Sequence, residues 1–246
     1  LGGWLANVRE VVPSVPPYDR LAPNPVPELV REVGRDPAIR VLLGAKVVKL
    51  AGQPGQFTVE VQGPAGAETL QVGAVVQATG ARPYDAGKLA HLGRGASPDV
   101  ITAAELEPML AKNELVRPSD LKRPRRVVFV QCAGSRDAAH LKYCSSECCA
   151  TSLRQVMAIH QAHPDVECLV LYKDLRAPGQ VEHFYRAVQE QTGVMLARAT
   201  VERGSSRLAA MRATVMRVCR SHTMQHTRSS ASAVGLDRGR DERSCN

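Results

Sequence analysis

Val127-Val128-Phe129-Val130-Gln131-Cys132-Ala133-Gly134-Ser135-Arg136-Asp137, followed by Tyr143-Cys144-Ser145-Ser146-Glu147-Cys148-Cys149, is the stretch on which the reading of this chain turns. Its first four residues are an unbroken β-branched and aromatic run, the pattern of a strand buried on both faces. A helix is expected from about Ser146 to His163, stopped by Pro164. Strand 167–172, helix 181–191 closed by Gly193, and strand 194–197 follow. Strands alternating with helices of this length predict parallel βαβ units, so the fold class is α/β. The carboxyl ends of the strands then form the functional edge, and Cys132 is placed on it.

Upstream, the charged stretch Lys122-Arg123-Pro124-Arg125-Arg126 reads as a linker, which places a domain boundary near it. The expected divisions are 1–121, 127–203 and a tail, 204–246. Prolines 13, 16, 17, 23, 25 and 27 keep residues 5–27 extended, because they fix φ and remove backbone donors. A short helix fits Pro27 to Arg35. Ile39–Leu43 reads as a buried strand, and 46–50 and 57–61, around the turn Gly52-Gln53-Pro54-Gly55, as a β-meander. Another strand is expected from Thr69 to Ala78, ending in Ala78-Thr79-Gly80-Ala81-Arg82-Pro83, and a helix over 103–111. The opening Leu1-Gly2-Gly3, with no strand before it, reads as a start inside a domain.

The formal charge of +8 does not predict a nucleic-acid surface. Eight Arg against Asp237, Asp241 and Glu242 lie in the tail, so only three of the eight net charges belong to the rest, and three Phe and one Trp offer few platforms for bases. The tail shows no apolar period and is expected to be disordered. No run of about 18 apolar residues is present to span a bilayer, and no signal-peptide layout opens the chain, so a cytoplasmic location is expected.

Four of the seven cysteines fall in the quoted stretch, spaced C-x11-C-x3-C-C. In a chain with no export signal, such thiols read as a metal or iron–sulfur site before they read as disulfides. A helix N-terminus carries free N–H groups and partial positive charge, which favour thiolates and anionic clusters. Cys144 and Cys148, four apart, could face the same way on one helical turn. Zinc would ordinarily use paired C-x2-C knuckles, a redox disulfide would leave two cysteines unexplained, and a four-thiolate [4Fe–4S] cluster accounts for all of them. Buried free thiols remain the plain alternative. Cys168, Cys219 and Cys245 are isolated.

Together with Tyr172-Lys173-Asp174-Leu175-Arg176-Ala177-Pro178-Gly179-Gln180 and Phe184-Tyr185, this stretch resembles the flavoprotein component of heterodisulfide reductase, its A subunit. It is more similar still to the flavoprotein subunits of the quinone-interacting membrane-bound oxidoreductase complex of sulfate reducers. The resemblance covers residues 1–203. It implies a thioredoxin-reductase-like fold: a partial FAD domain with a β-meander, then a dinucleotide-type α/β domain. It further implies that Cys132, Cys144, Cys148 and Cys149 ligate a [4Fe–4S] cluster beside FAD, and that Gly2, Gly3, Thr79 and Gly80 approach the flavin cofactor. The partners it implies are other subunits of an electron-transfer complex, with membrane association only through them.

Two other readings stay open: a non-catalytic zinc-stabilised scaffold or interaction domain, and an NAD(P)H-dependent flavin disulfide reductase. Against the second, the turn Cys132-Ala133-Gly134-Ser135-Arg136 has one Gly where a nicotinamide site carries several. Asp174, Arg176 and Gly179 are placed near the same sheet edge, where a solvated loop with an ion pair is an equal reading. His140, His160, His163 and His183 are assigned no role, and no Ser-His-Asp arrangement or Walker loop is found.

Overall fold

The computed structural model describes residues 1–199 and, as backbone strands, 215–219 and 222–223. In chain order, a 3-10 turn at Gly3–Asn7 precedes a hairpin of β1 (Glu10–Val11) and β2 (Ala22–Pro23), and α1 spans Val26–Arg35. β3 (Lys46–Gln53), β4 (Gln56–Gly63) and β5 (Gly66–Val72) follow, then β6 (Arg82–Pro83), a second 3-10 segment at Ala86–Leu92, and β7 (Val100–Thr102). α2 (Ala103–Ala111), β8 (Arg126–Val130), α3 (Cys148–Ala162), β9 (Glu167–Tyr172), α4 (Val181–Gln189) and β10 (Val194–Arg198) come next. β11 (Val215–Cys219) and β12 (His222–Thr223) are the last described strands.

The chain groups into two compact units. In Pro37–Thr79, β3, β4 and β5 form the antiparallel meander expected from the sequence. Ile39–Leu43, expected as a strand, lies outside regular structure, with Ile39 45% and Leu43 67% exposed. Gly44 follows at φ +66, a left-handed turn that breaks the extended run before β3 can include it. The strand expected over 69–78 stops at Val72. Its partner β4 begins at Gln56, so pairing ends at Phe57 opposite Val72, and Gly55 N donates to Gly73 O at 2.8 Å to close the edge.

The other unit joins Leu1–Asp36 to the described part of Gly80–Gln225. Its centre is a five-stranded sheet in the order β10-β9-β8-β11-β7, with every neighbouring pair parallel. The boundary expected near Lys122–Arg126 falls inside this unit, in the connection that leads into β8. The tail departs from its expected disorder at residues 215–219, which form β11 between β8 and β7. Both edges of that short segment meet a strand, so its backbone groups gain ladder partners that local composition does not reveal. Residues 222–223 form β12, paired with β6, and the rest of the tail lies outside the described residues.

Alternation along β8 separates two cores. Val127 and Phe129 point to the side of α2, α3 and α4, where Leu106, Leu153, Val156, Phe184 and Val188 are buried. Val128 and Val130 point to the opposite side and pack with Leu89, Leu92 and Val100. Each fully buried side chain of this kind contributes roughly 1.5–3 kcal/mol. A capping box starts α2, with Thr102 and Glu105 bonded reciprocally, which fixes the start of the helix directly after β7. With both faces covered, the free part of the sheet is its rim, and the carboxyl end of β8 opens there.

Candidate metal centre

β8 delivers Cys132 to that rim. Gln131 N still pairs with Leu171 O at 2.9 Å, extending the β8–β9 ladder by one residue, and Cys132 then turns out of the sheet at φ +57. The chain doubles back through a hydrogen-bonded loop. Ser135 N donates to Cys132 O (3.2 Å), Leu141 N to Gly134 O (3.3 Å), Asp137 N to Leu141 O (3.0 Å) and Arg136 N to Tyr143 O (3.1 Å). Pairing Arg136 with Tyr143 returns Cys144 towards the strand end from which the loop left. Gly134, at φ +81, is required: a Cβ there would lie 2.6 Å from Cδ1 of Tyr84.

Cys144 does not share a helical turn with Cys148, contrary to the spacing argument. It lies in the loop, with Ser146 N donating to its Sγ at 3.3 Å, and Ser146 at φ +62 delays the helix until Cys148. Cys148 and Cys149 therefore occupy the first turn of α3, where backbone N–H groups lack intrahelical partners. Cys132, Cys148 and Cys149 are buried and Cys144 is half-buried.

The thiols form one electrostatic group. Burial raises the Cys132 thiol above its ordinary value, Cys148 and Cys144 add to the rise, and a hydrogen bond and charge from Arg136 oppose it. Cys149 is raised first by its hydrogen bond with Cys148 and then by burial, while the backbone N–H of Arg176 pulls it down. Thiolates here are costly unless positive charge is supplied, which is what a bound metal does. Cys168 is pushed up to about 12 by burial alone and sits within the helix-side core.

Among the described residues, no three His, Cys, Asp or Glu side chains are arranged to hold a single metal ion. A cubane cluster makes a different demand, since each thiolate takes its own iron and the four sulfurs surround a cage. Several buried polar groups near these cysteines in sequence lack partners. Gln131 Nε2 and Oε1, Ser145 Oγ and Ser152 Oγ are buried without partners. Gln131 adjoins Cys132, Ser145 adjoins Cys144, and Ser152 lies four residues after Cys148 on the same helix face. Unpaired buried donors next to cysteines are suited to sulfur acceptors.

Beside Cys132 is a cavity of about 290 Å³ lined by His91, Asp137, His140 and Lys173. Tyr84 Oη and His140 Nδ1 are 2.7 Å apart, and His91 stacks on His140 with centroids 5.7 Å apart. Sequence reasoning passes over Tyr84, Gln131, Ser145 and Ser152. The Gln and the first Ser each adjoin a cysteine, which is a local signal, whereas Tyr84 meets His140 across 56 positions and gives no local sign. Asp174 ion-pairs with Arg136 and with Arg176.

The glycines expected near FAD, with Thr79, lie at two places along the chain. Gly2 is at φ +82, and a Cβ there would meet Ala6 and Val26 at 3.0 Å, so its own packing explains the glycine. Gly3 and Gly80 also have positive φ, with open space where a Cβ would stand. The division between the two units falls between Thr79 and Gly80.

A parallel sheet with helices on its face, Cys132 just past one strand end and Cys148 and Cys149 in the first turn of the next helix make this an α/β protein. Among curated proteins, about half of the chain is similar to the A subunit of heterodisulfide reductase. The iron-sulfur A subunit of the CoB--CoM heterodisulfide reductase of Methanocaldococcus jannaschii is 42% identical over 136 residues, which are 52% of this chain and 21% of that protein. The first of the corresponding A subunits of Methanopyrus kandleri is 40% identical over 139 residues, 52% and 21% of the two chains. The A subunit of the ferredoxin:CoB-CoM heterodisulfide reductase of Methanosarcina acetivorans is 36% identical over 162 residues, 52% and 20%. The match spans about a fifth of the length of these relatives. No family model matches. A solved structure of Kutzneria sp. 744 ornithine N-hydroxylase covers 71% of this chain and 44% of its own at 15% identity, and its TM-score of 0.25 is too low to bear on the fold. Among the described residues no helix is long and apolar enough to cross a membrane.

Proposed function

We propose that this chain is part of an electron-transfer protein that passes electrons between FAD and a [4Fe–4S] cluster, with Cys132, Cys144, Cys148 and Cys149 as the cluster ligands. The observation that carries the reading is the fold-back of the 132–149 loop towards the N-terminus of α3, with the buried, unpartnered Gln131, Ser145 and Ser152 close to the cysteines in sequence. When bound, the cluster supplies one-electron transfer and the flavin joins one-electron to two-electron chemistry.

The chain's own residues hold and insulate that centre. First-turn N–H groups of α3 and the Arg176 N–H offset negative charge on the Cys148–Cys149 side. Arg136 does so at Cys132. Cys132, Cys148 and Cys149 are buried, which strengthens each of these interactions. For FAD, Gly3 and Gly80 offer open backbone, with Gly2 and Thr79 beside them in sequence. Other subunits of a heterodisulfide reductase-like or quinone-interacting complex are the partners in this reading, and the cytoplasm is its location.

Anaerobic purification of the chain tests it. Brown protein with iron and acid-labile sulfide, both lost in Cys148→Ser, is the expected result. Colourless protein holding one zinc would establish the scaffold alternative instead, and flavin bleaching by NADPH independent of the cysteines would establish the reductase alternative.

A further inference from the structure

The cavity of about 290 Å³ opens at the carboxyl ends of β8 and β9. Strand order reverses there: β9 and β10 succeed β8 on one side and β11 lies on the other, which is where parallel α/β sheets receive ligands. The volume is near the lower end of the about 300–1,000 Å³ of small-molecule sites, so a ligand must be compact. Leu92, Val130 and Leu171 supply apolar lining, and Lys173, His140, His91 and Asp137 supply the polar groups. These groups are held in place from distant parts of the chain. Tyr84 Oη lies 2.7 Å from His140 Nδ1, the Tyr84 ring meets the imidazole edge-on at 5.8 Å, and His91 stacks on it at 5.7 Å. A phenol is protonated at neutral pH and donates, so Nδ1 accepts and the neutral ring carries its hydrogen on Nε2. Lys173 Nζ donates to Arg136 O at 3.1 Å, and Lys173 O accepts from Arg198 Nε at 3.1 Å. One ammonium donor is thereby used, and the others have no partner among the described residues.

We infer that this cavity binds a compact monoanionic carboxylate, whose oxygens accept from Lys173 and His140 and whose hydrocarbon part rests against Leu92, Val130 and Leu171. Free donors outnumber acceptors on the lining, which suits a ligand rich in acceptor oxygens. A donor paired with a charged oxygen is also the stronger kind of hydrogen bond. Asp137 sets the limit on charge. Its Oδ1 accepts from Ala139 N at 2.8 Å, and its carboxylate leaves the lining formally neutral once Lys173 is counted. A dianion such as phosphate would then meet like charge that a single lysine does not offset, whereas a monoanion meets half of it. The apolar lining favours a carboxylate with a short hydrocarbon chain over a bare inorganic ion. No thiol takes part in this binding, so the site stands apart from the proposed cluster.

The test is isothermal titration calorimetry of the full chain with butyrate and, separately, with inorganic phosphate, each variant being checked for its fold by circular dichroism. Butyrate is expected to bind the wild type at least about tenfold more tightly than phosphate, and Lys173→Gln and His140→Phe are each expected to weaken butyrate by about tenfold. Ala139→Phe, which fills the cavity from an exposed lining position and leaves every donor in place, is expected to abolish butyrate binding. Asp137→Asn, which removes the like charge, is expected to narrow the gap between the two anions. Should Lys173→Gln fail to fold, Ala139→Phe and the wild-type preference decide. Absence of butyrate binding, a wild-type preference for phosphate, or butyrate binding indifferent to Ala139→Phe would each overturn the inference.

Discussion

Arg154 of α3 and Glu107 of α2 form an ion pair whose side chains are only 8% and 9% exposed, between two of the helices that cover one face of the sheet. Gln155 Nε2 donates to the same carboxylate at 2.5 Å and to Ala103 O at 2.8 Å, and Arg154 reaches Glu10 O at 3.3 Å. The network ties α3, which carries Cys148 and Cys149 in its first turn, to α2 and to the hairpin strand β1. Burial lowers the Arg154 pKa, and the nearby Glu107 carboxylate opposes that shift.

Removing one partner leaves a buried charge uncompensated. Glu107→Ala is expected to lower unfolding free energy by about 3–5 kcal/mol, and the double variant Glu107→Leu with Arg154→Leu by less than the single one. Urea denaturation of the three proteins measures both. Equal losses would show that the pair adds no charge-specific stability.

Gly134→Ala forces a Cβ against the Tyr84 ring and a side chain into φ +81. The loss should exceed about 1 kcal/mol, the upper end of what a compatible Gly-to-Ala exchange gains. Adding Tyr84→Ala should restore the steric part and leave the backbone part, so the two changes should be non-additive in thermal melts. Simple additivity would mean that the ring and the loop do not meet.

Cys168 should be chemically silent. Its thiol, pushed up to about 12 by burial, is protonated at neutral pH and should resist iodoacetamide in the folded protein, while half-buried Cys144 is alkylated after chelation. Cys168→Ala should keep the wild-type iron content at a cost of about 1 kcal/mol for the lost packing. Iron loss in that variant, read by colorimetric assay, would make Cys168 a ligand.

His163, buried at the end of α3, has its pKa held below the ordinary imidazole value by burial and then by Arg123. Because the folded value is the lower one, the neutral ring's contribution is complete above the unfolded pKa of about 6.5 and is lost as pH falls from there towards the folded value. Denaturation midpoints should decline over that window, and His163→Gln should flatten the decline. An unchanged slope would assign the acid sensitivity elsewhere.

Much of the fold is legible locally. The expected bounds of α2, 103–111, and of β9, 167–172, both stand, because a capping box, apolar runs and flanking turns mark them within a few residues. Ile39–Leu43 misleads for the complementary reason: a strand-like run is a strand only where a neighbour pairs with it. At the site, the spacing of the cysteines draws attention to residues 132–149, and the Arg136–Asp174 ion pair emerges only from the fold.

By itself, the sequence determined the helices α2, α3 and α4, the strands β8, β9 and β10, and which stretch concentrates its thiols, because those properties depend on side-chain type and short-range periodicity. Tertiary structure alone decided that residues 215–219 enter the sheet between β8 and β7 and that the cysteine loop closes through Arg136 and Tyr143. It alone decided that Tyr84 backs Gly134 and that Asp174 is the partner of Arg136. Those outcomes depend on backbone and charge partners that are distant along the chain, whose energies exist only once folding has brought them together.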